Sequence, residues 1–598
     1  MPLMSKPTAL ISTENRRFRV EGWAAWGVWG VMTLAAVWFV WNHALAVPFA
    51  DEWHWVSIAG RAAPVTGSWL GSQHNEHRLL FPRLAYVGLA RLTNYDFHAG
   101  GLLNVAMLSL LAAVAILSAR AIRGRTGLGD AFFPLVLLNW SQFTNLLWGF
   151  QICLVMAAVM VCAGMLAMAH AARGRWLAWA TVSVACFIVA TWSAALGLAC
   201  LPGLVVWLLV GCAIRWREGG TQRLGVCLGT LLLVLVTVLA FAAYLVNFHR
   251  PAQHFDPPGL LASLRTGSEC LANVLGALGK KLWPVSSLGV MLGCGLLLVH
   301  LLRRAWLQPA ERIQVLAFLN IMAASAALVA AIGWGRAFLG PGAGAEDRYV
   351  TLVMPLACLF YWQSVVLVGR WSTRLQIALM LLAAGLLVPN GIKGLRGAAS
   401  LAGTTGWLLR DAQAGVPIDA LAVRYLEGTG FTDPKDLARQ LNVLWQSGFG
   451  PYRGAARLPL RNDLEIRPAT QLAAHEPPTK TVTLGPEGSL VRCIQGSGDV
   501  TIERIDLLAA RRPRRPIERL QWEVSTPGGG VLASGAIDTA ELAYTDWLTL
   551  RPESLRVRGD WRLELRLSAE GSADARPLQI PLFGPTESLK GFLYCTKP

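Results

Sequence analysis

Residues 224–248 contain no ionisable side chain other than Cys227 and Tyr244. A helix of about 20 apolar residues matches the ~30 Å hydrocarbon core of a bilayer, and few soluble folds can bury one. Similar runs recur along the chain, with spans expected near 23–47, 101–119, 130–147, 151–171, 176–193, 194–214, 225–247, 283–302, 313–335, 350–369 and 375–391. Charged residues make up only 15% of the 598, against roughly 25% in soluble domains. These features define a polytopic α-helical membrane protein and exclude a cytosolic enzyme or a secreted binder. The net charge of +17 does not call for nucleic acid, because Lys and Arg also set membrane topology.

The basic residues test the eleven spans. Arg16, Arg17 and Arg19 precede the first, and alternate connections carry Arg120/Arg123/Arg125, Arg173/Arg175, Arg215/Arg217/Arg223, Arg303/Arg304/Arg312 and Arg370/Arg374. Short basic loops face the cytoplasm, which places the N-terminus inside and the C-terminal region outside. Ala44-Leu45-Ala46 resembles a signal-peptidase site, but the apolar region before it exceeds the 7–15 residues of a signal peptide. It reads as an uncleaved first helix.

The expected organisation is a cytoplasmic tail at 1–22, a transmembrane domain at 23–391, a helical connector at 392–475 and a β-sandwich at 476–598. In the connector, Asp433-Pro434 marks a helix start, with Leu437, Leu441 and Leu444 on one face. From about 478, short alternating runs are separated by turns such as Pro527-Gly528-Gly529-Gly530, the pattern of antiparallel strands. Cys493 and Cys595 fall in this region, where an oxidising compartment would let them pair as a disulfide.

Three outer segments, 48–100, 248–282 and 336–349, join spans on one face. Asp51-Glu52-Trp53 follows the first span, and a carboxylate at the mouth of a helix bundle can deprotonate an acceptor hydroxyl. His74-Asn75-Glu76-His77-Arg78, followed by Arg83, offers imidazoles, a carboxylate and cations that can bind substrate or phosphate. On a helix, His74 and His77 would share a face. Glu346-Asp347-Arg348-Tyr349 follows a glycine-rich approach that reads as a mobile loop, and Arg348 can chelate phosphate bidentately. Trp140, Asn145, Trp148 and Gln151 join the same face. No C-x-x-C spacing is present, and His74-x-x-His77 alone is a weak metal signal without a zincin pattern; no cofactor is expected, and a divalent metal is the less favoured alternative.

In this layout the chain resembles the GT-C superfamily of integral-membrane glycosyltransferases, bacterial members included. The resemblance rests on many spans, an acidic motif in the first outer loop and a soluble outer domain. It implies a polyprenyl-phosphate-linked sugar donor, a glycan or lipid acceptor and a bacterial inner-membrane location. Asp51 is then the general base with Glu52 second, and Arg348, Arg78 and Arg83 are the groups for donor phosphate. Trp53, His74, Glu76, His77, Asp347 and Tyr349 would line the substrate site. The 48–100 loop looks like the juxtamembrane helices that frame the active site in that family. No D-x-D and no W-W-D motif is present. The rival readings are a flippase or transporter of lipid-linked glycans, an O-antigen ligase or polymerase, and a noncatalytic anchor for the β domain.

Overall fold

The computed structural model describes residues 8–598, except 46, 95, 220–222, 251–254, 368, 414–415, 417, 427–428, 430, 432, 449–463, 469–479, 485–488, 509–518, 539–546, 553–554, 571–577, 584–587, 590 and 597–598. It forms two compact units, one built from 1–405 with 428–430 and 447–453, the other from 406–427, 431–446 and 454–598.

The first unit is helical. Helix α1 (Thr8–His43) leads into a 3-10 turn (Ala50–Trp55), two short helices α2 (Val56–Ala59) and α3 (Gly67–Gly71), a hairpin β1–β2 (Gln73–His74, His77–Arg78) and α4 (Leu80–Leu92). Then come α5 (His98–Arg123), α6 (Phe132–Leu137), α7 (Phe143–Leu147), α8 (Ile152–Ala171), α9 (Trp176–Thr191), α10 (Ala195–Glu218) and α11 (Arg223–Leu245). After α12 (Leu260–Ala272) and α13 (Gly276–Lys281) follow α14 (Val285–Leu307), α15 (Arg312–Arg336), α16 (Tyr349–Val366) and α17 (Ser372–Gly385). The next helix, α18 (Leu387–Gln413), continues past residue 391.

Among the described residues, nine helices are long and apolar enough to cross a membrane. The protein is a multi-pass membrane protein. Leu228, Leu231, Leu232 and Leu235 of α11 are exposed, a surface that a bilayer solvates and water does not. By contrast α8 and α16 are almost wholly buried and form the centre of the bundle. Small residues let the backbones meet there. A Cβ on Gly100 would stand 2.7 Å from the Gly149 Cα, so α5 packs directly on the start of α8.

Two of the expected spans differ from the rest. Helix α9 is a shorter apolar helix of 16 residues. The span expected at 130–147 is not one helix but α6, a 3-10 turn at Trp140–Gln142, and α7. The physical reason lies in its amides. Asn139 donates to the Val136 carbonyl at 2.5 Å and Gln142 to the Leu137 carbonyl at 2.7 Å. These side chains satisfy carbonyls that the break releases, which is what irregular backbone at membrane depth requires. The segment still runs between the two ends of the bundle. Asp130 pairs with Arg123 at the end of α5, while Phe150 binds Glu52 at the opposite end.

The second unit contains α19 (Ile418–Arg424), α20 (Pro434–Ser447) and strands β3 (Leu464–Pro468), β4 (Lys480–Leu484), β5 (Ser489–Ser497), β6 (Val500–Leu508) and β7 (Arg519–Ser525). They continue as β8 (Val531–Asp538), β9 (Trp547–Leu550), β10 (Leu555–Val557), β11 (Asp560–Glu570), β12 (Leu578–Phe583), β13 (Ser588–Leu589) and β14 (Gly591–Thr596). One sheet has the order β5-β11-β7-β8, and a second β10-β6-β14-β3 with β9 also on β6. A small third sheet joins β13, β12 and β4. Along β11, buried and outward residues alternate, as strict two-residue periodicity demands. Inward residues of the two larger sheets share one core that includes Ile494, Ile502, Leu550, Leu565 and Leu593. The helix expected from Asp433-Pro434 is α20, with Leu437, Leu441 and Leu444 buried.

The disulfide expected between Cys493 and Cys595 involves a side chain outside the described ones. Cys493 is a free thiol that accepts a hydrogen bond from Arg562 Nε at 2.9 Å. It lies on β5, whereas Cys595 lies on β14 of the other sheet, and the Cys595 side chain is outside the described ones.

Candidate functional site

The chain leaves α1 and turns at Ala50, a non-glycine residue held at φ 44°. A left-handed residue of this kind is uncommon and strained, and it immediately precedes Asp51. The next residue fixes the turn. Glu52 is buried, and its two oxygens accept from the backbone N–H groups of Phe49 and Phe150, each at 3.0 Å. One carboxyl thus ties the first loop to the start of α8. Burial pushes Glu52 up to about 8, against the pull of the Phe49, Tyr86 and Phe150 hydrogen bonds. Glu52 is therefore protonated at neutral pH and enclosed. It is a clamp that positions its neighbour, which corrects its expected role as a second base.

Asp51 is different. It is partly exposed, and the His74 Nε2 lies 3.7 Å from its Oδ1, a charge-to-ring contact rather than a hydrogen bond. Burial works to raise its pKa, but the His74 ring, with His54 and Arg348, outweighs that and holds the carboxyl below the usual value. Asp51 is ionised at neutral pH. His54 is pulled down chiefly by burial, against Asp51, and His77 likewise chiefly by burial, against Glu76. Both rings are neutral there.

The His74–Arg78 segment is a β-hairpin, not a helix. His74 pairs with His77, and Asn75 takes φ 48° in the two-residue turn, a conformation Asn tolerates better than most residues. The tight turn places His74 toward Asp51 and His77 toward α10, where its Nδ1 accepts from Ala195 N at 3.3 Å. Glu76 pairs with Arg336 of α15 and lies 3.7 Å from His77 Nε2. Arg336 had no assigned role in the sequence; an ion pair spanning 260 residues leaves no local signature.

Two of the three expected phosphate-binding arginines are already engaged. Arg78 is buried and donates to the carbonyls of Tyr244 at 2.8 Å, Gly71 at 2.6 Å, and Val246. Arg83 donates to the Trp69 carbonyl, to the Ser72 carbonyl at 2.8 Å and to the Ser72 hydroxyl at 2.9 Å. Their donors cap the ends of α11 and α3, so both are structural.

Arg348 stands apart. Its Nε is buried without a hydrogen-bond partner, and its only described ring contact is with Tyr349, 5.5 Å from guanidinium to centroid. Among the described residues no carboxylate pairs with it. Its backbone is fixed from below, because Asn145 of α7 donates to the Arg348 carbonyl at 2.9 Å and to Thr351 at 2.5 Å. An uncompensated cation within electrostatic range of an ionised carboxylate suits an anionic ligand.

The remaining expected residues are corrected. Trp53 is 1% exposed and belongs to the core. Tyr349 is buried at the start of α16. Asp347 accepts from Lys280 and has Lys393 at 3.5 Å, so it is already neutralised. The glycine-rich approach is not a loose flap either. Glu269 accepts from the N–H groups of Gly342 and Gly344 at 3.0–3.2 Å, and Asn273 donates to the Gly344 carbonyl at 3.1 Å. A lone glutamate in a distant loop gave no hint of this in sequence.

Among the described residues, no group of three or more His, Cys, Asp and Glu side chains is placed to hold a metal ion. No protein-family model matches the chain, and no curated protein matches it.

Proposed function

We propose that the protein is a membrane glycosyltransferase of GT-C type that moves a sugar from a polyprenyl-phosphate donor to a glycan or lipid acceptor. The observation that carries this reading is the convergence of the ionised Asp51 with Arg348, an arginine that lacks a carboxylate partner among the described residues, nearly 300 positions later in the chain. The acceptor oxygen attacks the anomeric carbon, and the bond from that carbon to the phosphate oxygen breaks. The electron pair leaves with the polyprenyl phosphate, whose charge Arg348 stabilises. The acceptor proton passes to Asp51. Because Asp51 is held low, it takes that proton late, once bonding to the anomeric carbon has acidified the hydroxyl.

In this proposal the chain crosses a bacterial inner membrane eleven times, counting α9 and the broken 128–148 segment with the nine long helices. Asp51 then faces the extracytoplasmic side, where nucleotide sugars are absent and a lipid-delivered donor is needed. A second reading, translocation of lipid-linked glycans, draws on the broken segment, since interrupted helices line the paths of many transporters.

A deletion strain separates the two. Loss of the transferase removes one sugar increment from the surface glycan and lets the lipid-linked donor accumulate. Loss of a translocator blocks the whole glycan instead, and an unchanged glycan contradicts both.

A further inference from the structure

The hairpin seats the His74 ring against Asp51 and closes off one of its nitrogens. His74 Nε2 is buried, lies 3.7 Å from the Asp51 Oδ1 and has no hydrogen-bond partner among the described residues. Buried polar atoms in native proteins nearly always find partners, and the group this nitrogen faces is the carboxylate. The gap exceeds a hydrogen bond by about 1 Å, a distance that a side-chain rotation closes. Both side chains keep an open edge, 30% exposed for Asp51 and 16% for His74. The rings of Phe150 and His54 stand 5.4 Å and 6.2 Å from that of His74.

We infer that Asp51 and His74 work as a proton-accepting pair, in which Asp51 takes the proton of the acceptor hydroxyl and passes it to His74 Nε2. The inference rests on the transferase reading. As the acceptor oxygen bonds to the anomeric carbon, its O–H bond breaks and the proton goes to the exposed carboxylate. The carboxyl group then turns, its O–H meets Nε2, and the proton moves to nitrogen, which regenerates the carboxylate. An imidazole is a stronger base than a carboxylate, so this transfer runs downhill. The low value of Asp51 beside the ring expresses the same preference at rest. His74 loses a proton from Nδ1 to water through its exposed edge. It does not touch the acceptor; it acts through Asp51, as a positioning residue. The other ionisable groups near the pair are His54 of the same turn, Glu76 and His77 of the hairpin, and Arg348 of the next-to-last outer segment's end. Glu76 is held by Arg336, so His54 and His77 are the groups whose titration could imitate that of His74.

The test is a pH profile. Membranes of the deletion strain retain the native donor and the unextended acceptor, and the full chain in proteoliposomes is fused with them. The initial rate of the sugar increment is read by mass. The parent rate should fall, by up to tenfold per pH unit, as pH drops through the imidazole range of about 5–8, because a ring that already holds a proton cannot receive another. His74→Gln should lose tenfold or more at pH 8, and its acid limb should move below about pH 5, into the carboxylate range. His54→Gln and His77→Gln should each keep the parent's limb. A parent rate that is flat from pH 5 to 8 overturns the pair whether or not His74→Gln folds. A His74→Gln profile with the parent's limb also overturns it and leaves the transferase reading standing. If the parent adds no increment at any pH and deletion leaves the surface glycan unaltered, the transferase reading falls and the pair falls with it.

Discussion

Replacing Arg78 with Met separates a structural arginine from a phosphate ligand. Its guanidinium donates to three main-chain carbonyls, those of Gly71, Tyr244 and Val246. Hydrogen bonds from a charged donor contribute about 1.5–3 kcal/mol each when the acceptor stays buried. Tyr244 is fully buried, whereas Val246 is 59% exposed, so the Tyr244 bond dominates and water replaces much of the Val246 bond. The expected cost is about 2–4 kcal/mol, a fall of several degrees in Tm. Arg78→Lys should recover part of it, since an ammonium on a shorter reach cannot span all three carbonyls. Thermal unfolding of the full chain in nanodiscs gives the stability. Donor KM, taken well below the melting range, gives the binding, and it should stay within about twofold of the parent. An unchanged Tm with a KM raised tenfold or more would refute the reasoning and return Arg78 to the donor site.

Glu52 gives a pH signature. Its folded value of about 8 lies above the ordinary 4.5, so the unfolded chain releases its proton first and ionisation favours unfolding. Its contribution to stability declines from about pH 4.5 to about pH 8, with a slope of at most ~1.4 kcal/mol per unit, and is level above that. The Tm difference between the parent and Glu52→Gln should move in favour of Gln across that window; a pH-independent difference contradicts the clamp. In the second unit, Arg424 bridges the buried Asp411 and Asp506. Arg504 still pairs with Asp506 and the Tyr425 hydroxyl still donates to Asp411, so Arg424→Met leaves one buried negative charge in excess, at a cost of about 3 kcal/mol, read as faster proteolysis within 406–598, and parent-like resistance would count against it. Cys493 is a free thiol beside Arg562, so a maleimide should modify it without prior reduction, and a requirement for reductant would restore the disulfide.

The membrane character of the chain was legible because hydrocarbon thickness imposes a composition that no loop can imitate. The broken 130–147 segment escaped that logic. Its apolar content is that of a span, and only the contacts of Asn139 and Gln142 reveal that side chains have replaced backbone bonds. The hairpin at 73–78 was hidden for a similar reason, since six polar residues carry no periodicity and the turn depends on the φ of Asn75 alone. The site was half legible. Asp51 and Arg348 stood out as charges beside a membrane, but composition cannot distinguish an arginine that meets a ligand from one that caps a helix end. Arg78, Arg83 and Arg348 differ only in which carbonyls the fold brings to them. Glu52 and Asp51 are neighbours in sequence, and one backbone turn sends one inward and leaves the other at the mouth.

The measurement that bears most directly on the account is the mass of the surface glycan when the deletion strain is complemented with Asp51→Asn at parent protein level. Loss of a general base lowers a rate by about 10²–10⁴-fold, and the substitution keeps the side chain's shape. The account predicts that the parent chain restores the sugar increment and Asp51→Asn does not. Full restoration by Asp51→Asn would contradict it.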